Sequence, residues 1–408
     1  MIVHRAAWVL PIASAPVRNG WVAVEQGRVV AVGGPSAFAP SALRRDRPDR
    51  EERVAPSGES WAILPGLVNA HTHLELSWLR GKIRPAESMP AWVGGLLAHR
   101  RNAADPPEPI AEAITELRMT GTALVGDVTN SLACYDVLAD SDISAAVFHE
   151  LLGFRVSDPA SVVAEAKNRL VQLTPYEWLR PVLVPHAPYS VDPDLIRAIG
   201  QSDQRHPLSI HLGESREEVQ FLHDGSGPWR ALIEMLGAWT DTWQPPGCGP
   251  VEYVARLGLV NDRLIAVHGV QFTDAELARL AAAGATVVTC PRSNRWTGAG
   301  TPPVERFYAS GVRIAIGTDS LASVEDLNLF HEMAAVRRLA PSVAASRILR
   351  SATLDGAEAL GFGRDFGSIE AGKRAALIAV RVPGGVVEVE EYLVGGIAPE
   401  HVRWLEAD

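Results

Sequence analysis

The 408-residue sequence contains only three cysteines, and no hydrophobic run in it is long enough to cross a membrane. Cys134, Cys248 and Cys290 lie far apart and show no CxxC spacing, which excludes a disulfide framework and predicts a reducing compartment. A membrane-spanning helix needs about 18 consecutive apolar residues, many more than the short stretch at residues 6–13 provides. Strand-like sequence follows that stretch directly, so we interpret it as part of the folded chain and not as a signal peptide. We expect a cytoplasmic protein.

Sequence motifs of several common enzyme classes are also missing. There is no GxSxG elbow of serine hydrolases, no Walker loop and no GxGxxG turn. His149-Glu150 begins like the HExxH motif of zinc proteases, but Gly153 stands where that motif needs its second histidine. The His-Glu pair at residues 331–332 fails in the same way. These absences exclude a P-loop, a serine nucleophile elbow and a zincin site.

The composition is globular and the charge balance is negative. Hydrophobic residues make up 47% and charged residues 21% of the chain, and the net charge is −10 at pH 7. Such an apolar fraction is enough for a sizeable core and excludes disorder. The negative charge argues against nucleic acid and against an anionic membrane surface as partners. We interpret the charge-rich stretch at residues 35–60 as a solvated loop.

Both ends of the chain have strand character. Residues 21–33 alternate around a Gln-Gly turn, a pattern typical of a β-hairpin. Residues 367–382 and 386–396 are again rich in β-branched and alternating apolar residues. These β-rich ends predict one small β-sandwich built from residues 1–60 and 367–408.

Between these ends, short apolar runs alternate with segments of helical spacing, for example at residues 109–121, 160–173 and 274–284. This alternation indicates βα units and a parallel sheet. Eight such units over about 300 residues fit one (β/α)8 TIM barrel, at residues 61–366. A doubly wound open sheet is the alternative, although it does not usually need eight units. The predicted strands cover residues 66–71, 123–128, 143–150, 181–186, 208–211, 264–268, 285–290 and 312–317.

Histidines and one aspartate stand at the carboxyl ends of these predicted strands. The first strand ends in His71 and continues to His73, and alternate residues of an extended segment face the same side. The fifth and sixth strands end in His211 and His268, and Asp319 follows the eighth. Barrel enzymes keep their active sites at this face, so we expect the five side chains to meet there.

Three imidazoles and one carboxylate from this set form a group of ligands suited to a divalent metal. Zinc is the first expectation, and iron or manganese accepts the same ligand types. The number of ions follows from the scarcity of lysine, because many binuclear barrel hydrolases bridge two metals with a carboxylated lysine at the end of the fourth strand. That strand ends in His186, and Lys82, Lys167 and Lys373 all lie away from strand ends. We therefore expect one metal ion.

Turnover also needs groups that carry protons. Glu214 lies three residues beyond His211, where it can face the site without binding the metal and can transfer protons between water and a leaving group. Asp319 can accept a proton from a water that the metal has acidified. His268 can hold the resulting nucleophile in its direction of attack. We predict Glu214, His268 and Asp319 as catalytic residues.

The sequence resembles the amidohydrolase superfamily, and within it the cytosine deaminase-like and chlorohydrolase-like branch. The resemblance spans nearly the whole chain and rests on six segments in the family's order: GLVNAHTHLELS, PHAPYS, HLGES, VHGV, CPRSN and GTDSLAS. It implies a single metal with His71, His73, His211 and Asp319 as ligands. It also implies Glu214 as the proton shuttle and His268 as the residue that polarises water or substrate.

Within this branch the segments look most like those of the aminodeoxyfutalosine deaminases of menaquinone biosynthesis. That resemblance implies hydrolytic deamination of an aminated purine nucleoside, 6-amino-6-deoxyfutalosine, in which metal-bound hydroxide attacks purine C6 and ammonia leaves. The substrate carries a benzoate, so an arginine is expected to bind its carboxylate. The candidate substrate contacts are His186, Glu75, Trp92 and Arg155, with Arg100 and Arg101 as positional alternatives to Arg155.

Other activities share the same metal ligands and stay open. They are deamination of S-adenosylhomocysteine, adenosine or guanine, and hydrolysis of a chlorinated or aminated triazine. A non-enzymatic scaffold is a further alternative, but it predicts gaps in the catalytic set, and the sequence contains every member. The expected partner is a small purine nucleoside, and a homodimer is one candidate for the oligomeric state.

Overall fold

The described residues, 1–35, 51–54, 60–100 and 107–407, form seventeen strands and fifteen α-helices in this computed structural model. The strands are β1 (Ile2–Arg5), β2 (Trp8–Val9), β3 (Val17–Arg18), β4 (Trp21–Glu25), β5 (Arg28–Gly33), β6 (Glu51–Val54), β7 (Ser60–Pro65), β8 (Leu67–Thr72), β9 (Thr122–Thr129), β10 (Ser144–Leu151), β11 (Leu179–Pro185), β12 (Leu208–Leu212), β13 (Leu264–His268), β14 (Thr286–Thr289), β15 (Arg313–Ile316), β16 (Leu377–Val382) and β17 (Val402–Trp404).

The helices lie mainly between the central strands. They are α1 (Met89–Arg100), α2 (Pro107–Met119), α3 (Cys134–Ala139), α4 (Pro159–Val171), α5 (Pro193–Ser202), α6 (Arg216–Asp224), α7 (Pro228–Met235), α8 (Pro250–Arg256), α9 (Asp274–Ala282), α10 (Pro291–Trp296), α11 (Val304–Ser310), α12 (Leu329–Leu339), α13 (Ala345–Ser351), α14 (Leu354–Ala359) and α15 (Val389–Val394). Two 3-10 helices cover Leu74–Leu79 and Pro399–His401. The three helical segments named in the sequence analysis are confirmed as α2, α4 and α9.

The eight predicted central strands are confirmed as β8 to β15, with ends that differ from the prediction by at most two residues. They form two four-stranded parallel sheets, in the orders β11-β10-β9-β8 and β12-β13-β14-β15. Every residue of β8, β9 and β10 is buried. Apolar strands of this kind are typical of parallel sheets that are covered on both faces.

Hydrogen bonds connect the two parallel sheets at both of their edges. Between β11 and β12, the backbone N–H of His211 donates to the carbonyl of His186 at 2.9 Å. Between β15 and β8, the backbone N–H of Asp319 donates to the carbonyl of His71 at 3.0 Å. These contacts bring the carboxyl ends of the first and last central strands together.

Two further sheets are built from the chain ends, in the orders β5-β4-β1-β6 and β17-β16-β7-β2-β3. The predicted hairpin is confirmed as β4 and β5, and Gln26 and Gly27 between them have positive φ angles of 51° and 70°. Both angles suit a two-residue hairpin turn that matches the twist of the strands. One apolar cluster contains residues from both sheets, among them Val22 and Val24 of β4 and Ile63 of β7.

Three details of the terminal segments differ from the sequence expectations. Glu51–Val54 of the charge-rich stretch pairs in parallel with β1, while residues 36–50 and 55–59 lie outside the described residues. β7 pairs with β16 and β2, although the predicted boundary placed residues 61–65 with the parallel strands. The strand expected at 386–396 is wrong, because its buried apolar residues follow helical spacing and form α15.

None of the helices in the described ranges combines the length and the apolar character that crossing a membrane requires.

We predict that Gly317 is needed for stability, because β15 and β8 approach each other closely at this residue. A Cβ added to Gly317 would lie 2.7 Å from the His71 carbonyl oxygen and 2.8 Å from the His71 Cβ. We expect Gly317→Ala to destabilise the protein by about 1–3 kcal/mol through overpacking, and to lower the melting temperature measured by differential scanning fluorimetry. Gly384→Ala is the matched control, because a Cβ there meets nothing within 4 Å. Equal melting temperatures for the two variants would contradict the expectation.

Candidate active site

The five predicted strand-end residues meet at one cavity of about 310 Å³. Four of them, His73, His211, His268 and Asp319, line it directly. His71 is 1% exposed and lies behind them, with its ring centroid 4.9 Å from that of His73. The cavity therefore lies where the strand-end argument placed it.

His71, His73 and Asp319 form one compact group. The two Nε2 atoms of His71 and His73 are 3.2 Å apart. Asp319 Oδ1 lies 3.9 Å from His71 Nε2 and 3.6 Å from His73 Nε2. The ligand-type atoms of these three residues all lie within 4.8 Å of one another.

His211, His268 and Glu214 form a second group beside the first. His211 Nδ1 is 3.0 Å from His268 Nε2, and Glu214 Oε2 is 3.5 Å from the same His268 atom. Glu214 is 1% exposed, and burial raises its pKa to about 8. At neutral pH this carboxyl group carries a proton.

Glu150, at the carboxyl end of β10, joins the site through His211. Its Oε1 lies 3.4 Å from His211 Nε2, and its Oε2 accepts a hydrogen bond from Asn130 at 3.0 Å. Burial lowers the pKa of His211, but the Glu150 carboxylate outweighs burial and raises that pKa to about 9. Burial opposes ionisation of Glu150 itself, but His186 and His211 hold its pKa below the usual range. Glu150 and His211 therefore form a buried pair of opposite charges.

The donor atoms of the site fit a divalent cation. Burial lowers the pKa of His71, His73 and His268, which keeps these imidazoles neutral and able to bind a metal. His71 Nδ1 is buried and has no hydrogen-bond partner among the described residues. The four predicted ligands fall into two overlapping groups, because His211 shares a group with His71 and His268, whereas Asp319 shares one with His71 and His73. Nitrogen and oxygen donors of this kind suit zinc, iron or manganese.

Two residues in the first turn of α10 contact the catalytic candidates Asp319 and His268. Ser293 donates a hydrogen bond to Asp319 Oδ2 at 2.6 Å, which leaves Oδ1 facing the histidines. The Asn294 amide nitrogen lies 3.0 Å from His268 Nδ1. Both α10 residues are fully buried. The CPRSN segment therefore orients groups that stand at the ends of β13 and β15.

His268 and Asp319 also have unusual backbone conformations. Their φ angles are 78° and 63°, in the left-handed region that residues other than glycine adopt rarely. Such strain costs of the order of 1–3 kcal/mol per residue and is concentrated at functional sites. Both strands leave their sheet with this bend, and each bend positions a polar side chain at the cavity.

Glu75 lines the cavity, but its carboxylate accepts hydrogen bonds from neighbouring residues of the protein. Thr129 and Ser131 donate their hydroxyl groups to Oε2 at 2.7 Å, and the backbone N–H of Asn130 donates to Oε1 at 3.0 Å. Burial raises the pKa of Glu75, but these hydrogen bonds outweigh burial and lower it. Glu75 thus fixes the turn after β9.

The other predicted substrate contacts are distributed unevenly. His186 and Trp92 line the cavity, and Trp92 belongs to an apolar outer wall. Arg155 is exposed and does not line the cavity, so the structure does not bring it to the site. The side chain of Arg100 and the whole of Arg101 lie outside the described residues.

Sequence reasoning missed several residues that the structure places against the site. Glu150 was considered only as part of a failed HExxH motif, although its position at a strand end was a usable signal. Ser293 and Asn294 stood in a recognised segment without an assigned role. Glu218 had no signal, because its contacts depend on a loop conformation that spacing does not encode.

The chain is similar to several known proteins. The model of the family described as "Amidohydrolase family" matches residues 62–392. Aminodeoxyfutalosine deaminase of Deinococcus radiodurans is 33% identical over 353 residues, which cover 82% of this chain and 81% of that protein. The 5-methylthioadenosine/S-adenosylhomocysteine deaminase of Moorella thermoacetica is 29% identical over 93% of this chain and 85% of that protein. An adenosine deaminase structure from Xanthomonas campestris with bound zinc has a TM-score of 0.80 and 30% identity, covering 98% of this chain and 90% of that one.

The raised pKa of His211 generates a prediction about metal binding. With a pKa of about 9, the His211 ring is protonated at pH 7.5, and it must lose a proton before it can bind a metal. We expect zinc added to chelator-treated protein to release protons, and the apparent affinity to weaken as the pH falls. Isothermal titration calorimetry in buffers of different ionisation enthalpy measures the number of protons.

Glu150→Gln is the matched variant for this measurement, because it removes the carboxylate that raises the His211 pKa. It should release fewer protons on binding zinc. Binding heats that do not depend on the buffer would contradict the expectation that His211 is protonated before the metal binds and loses this proton on binding.

Proposed function

The chain belongs to the amidohydrolase family, and from that premise we propose that it is a metal-dependent deaminase of 6-amino-6-deoxyfutalosine. More broadly, it is a hydrolase of carbon–nitrogen bonds other than peptide bonds, and its relatives support a hydrolytic deaminase of adenosine-like nucleosides. The observation that carries the proposal is the meeting of Glu214, His268 and Asp319 with the histidine cluster at one cavity. The futalosine substrate is supported by the 33% identity to the Deinococcus radiodurans enzyme.

One divalent metal, with zinc as the first candidate, would be held by His71, His73, His211 and Asp319. When bound, such a cation acidifies a coordinated water and so supplies a nucleophile at neutral pH. Its positive charge also compensates the carboxylates that are buried around it.

Glu214 delivers a proton to the purine ring. Its carboxyl group is protonated at neutral pH because burial raises its pKa, and its Oε2 has no hydrogen-bond partner among the described residues. Protonation of purine N1 withdraws electrons from C6 and prepares that carbon for attack by water. Glu214 is then an ionised carboxylate that can take up the proton again.

Asp319 and His268 act on the attacking water. Asp319 accepts a proton from the water as its oxygen bonds to C6, and the hydrogen bond from Ser293 keeps the carboxylate in place. His268, fixed by Asn294, directs the water oxygen through a hydrogen bond. The amino group on the tetrahedral C6 then takes the proton held by Asp319 and leaves as ammonia. The C6 hydroxyl returns a proton to the Glu214 carboxylate, and C6 becomes a carbonyl.

We propose that the substrate binds in two parts. The base would bind beside Glu214, His268 and His186, which line the cavity. The outer wall contains Trp92, Phe154 and Trp229, which give a 5′ substituent an apolar surface. An aromatic ring such as a benzoate packs well against aromatic side chains.

We also propose that the four sheets belong to two domains, which goes beyond what the strand pairing alone establishes. The two parallel sheets form one (β/α)8 barrel, and the described residues of 1–65 together with 367–407 form the small sandwich. Hydrogen bonds at both edges of the parallel sheets support the barrel. The apolar cluster shared by the two terminal sheets supports the sandwich.

A second candidate substrate is 5′-methylthioadenosine. The apolar outer wall favours it, because a methylthio group is neutral and buries its surface there without needing a charged partner. The Moorella thermoacetica relative carries that substrate in its name.

A panel of nucleosides tests the proposed substrate. We expect kcat/KM for 6-amino-6-deoxyfutalosine to exceed those for adenosine, 5′-methylthioadenosine and S-adenosylhomocysteine by about tenfold or more. Ammonia release and the change in ultraviolet absorbance both measure turnover. Preference for 5′-methylthioadenosine would select the second candidate, and turnover of guanine or triazines alone would overturn deamination of 6-aminopurine nucleosides.

Glu214→Gln tests the proton-transfer role. The amide retains the shape of the side chain but cannot donate a proton from a carboxyl group, so kcat should fall about 100- to 10,000-fold. Zinc content, measured by inductively coupled plasma mass spectrometry, should match that of the unmodified protein. Near-normal turnover in this variant would contradict the role.

A further inference from the structure

The loop that carries Glu214 is held by a second carboxylate, that of Glu218 in α6. Glu218 Oε1 accepts the backbone N–H of Gly213 at 2.9 Å, and Oε2 accepts the backbone N–H of Glu214 at 2.9 Å. The Glu218 side chain is fully buried. One carboxylate thus binds two consecutive peptide groups, one of which belongs to the proposed proton carrier.

Ordinary helix capping does not account for this contact. Ser215 is the N-cap of α6 and accepts the backbone N–H of Glu218 at 3.2 Å. In a capping box the glutamate at this position would bind the N–H of the N-cap residue itself. Glu218 instead reaches past Ser215 to N–H groups that precede the helix, so its target is the loop.

The loop is fixed on its other side as well. Gly213 has a φ angle of 60°, and a Cβ there would lie 2.5 Å from the ring of Phe272. The carbonyl of Gly213 accepts the backbone N–H of Gln271 at 2.8 Å. With both faces of the Gly213 peptide bonded, the direction in which Glu214 leaves the backbone is set.

The burial of Glu218 is costly, and stability alone does not explain it. Among the described residues no lysine, arginine or histidine forms an ion pair with this carboxylate. Burial raises its pKa to about 7, although the two backbone hydrogen bonds act in the opposite direction. Burial of a charge without a neighbouring cation is costly, and titratable groups with perturbed pKa values are concentrated at functional sites.

Glu214, by contrast, has little to orient its own side chain. Its Oε2 is buried without a hydrogen-bond partner among the described residues, and it lies 3.5 Å from His268 Nε2 and 3.9 Å from His211 Nδ1. Its position above the cavity floor therefore depends on its backbone. Because misplacement of a catalytic group by about 1 Å can cost about 100-fold in rate, a backbone clamp here has a direct kinetic effect.

We propose that Glu218 is a positioning residue for proton transfer, which acts by clamping the backbone of Gly213 and Glu214. This inference rests on the proposed role of Glu214 as the proton carrier. Glu218 itself does not touch the reacting atoms.

The test compares Glu218→Gln with the neighbouring Glu217→Gln. The glutamine amide offers one acceptor oxygen for two N–H groups, so one clamp bond is lost. We expect kcat for 6-amino-6-deoxyfutalosine, and for adenosine assayed in parallel, to fall about 10- to 100-fold, with KM and zinc content within about twofold. Glu217 lies next to Glu218, is 8% exposed and faces Arg216 at 3.3 Å, and its variant should retain full kcat. If Glu218→Gln retained full kcat, or lost zinc in proportion to activity, the inference would be wrong.

A double-mutant cycle separates positioning from general structural damage. If Glu218 acts only through Glu214, adding Glu218→Gln to Glu214→Gln should lower the residual kcat by no more than about twofold. A full further loss in that background overturns the inference. Glu218→Asp keeps the charge but is too short to reach both peptides, and it provides the same cycle if the glutamine variant does not fold.

The outcomes also separate this inference from the proposed function. A fully active Glu214→Gln variant contradicts the proposed function, whatever Glu218 does. An inactive Glu214→Gln variant together with a fully active Glu218→Gln variant contradicts only the positioning role.

Discussion

The hydrogen bonds between the ends of β8 and β15 are the constraint on which the site depends. Asn69 and Thr318, which are 249 positions apart in the chain, exchange two buried hydrogen bonds at 2.7 and 3.1 Å. The His71 carbonyl binds the backbone of Asp319 just beyond them, and Gly317 leaves room for the close approach. Because the first and last central strands meet here, His71, His73 and Asp319 become neighbours.

Electrostatics then determines which chemistry this junction supports. The cavity floor combines imidazoles with Glu150, Glu214 and Asp319, and no lysine or arginine lines it among the residues that the structure describes. Their surroundings separate these groups, because burial raises the pKa of Glu214 to about 8, whereas His186 and His211 hold the pKa of Glu150 below its usual range. Acids with separated pKa values are what general acid–base catalysis requires. A bound cation suits the same arrangement, since it compensates the remaining negative charge.

Supporting residues hold these groups in place through two different elements. The first turn of α10 binds Asp319 and His268 from one side through Ser293 and Asn294. The first turn of α6 binds the loop of Glu214 through Glu218. α6 follows β12 and supports the loop at the end of that strand, whereas α10 follows β14 and supports groups at the ends of β13 and β15. The outer wall of the cavity, which contains Trp92, Phe154 and Trp229, is apolar and contributes shape and not charge.

The sequence by itself determined most of the elements and which strand-end side chains line or border the cavity. Buried apolar strands and helical spacing are local signals, so β8 to β15 and the strand-end residues His71, His73, His211, His268 and Asp319 could be named in advance. Local spacing failed at α15, whose apolar residues fit either period over a short segment. The positions of Glu75, Arg155 and Glu150 relative to the cavity were decided only by tertiary structure. Whether a carboxylate faces a cavity, a turn or an imidazole depends on contacts between residues far apart in the chain, such as Glu75 with the turn after β9 and Glu150 with His211, and no local pattern encodes those distances.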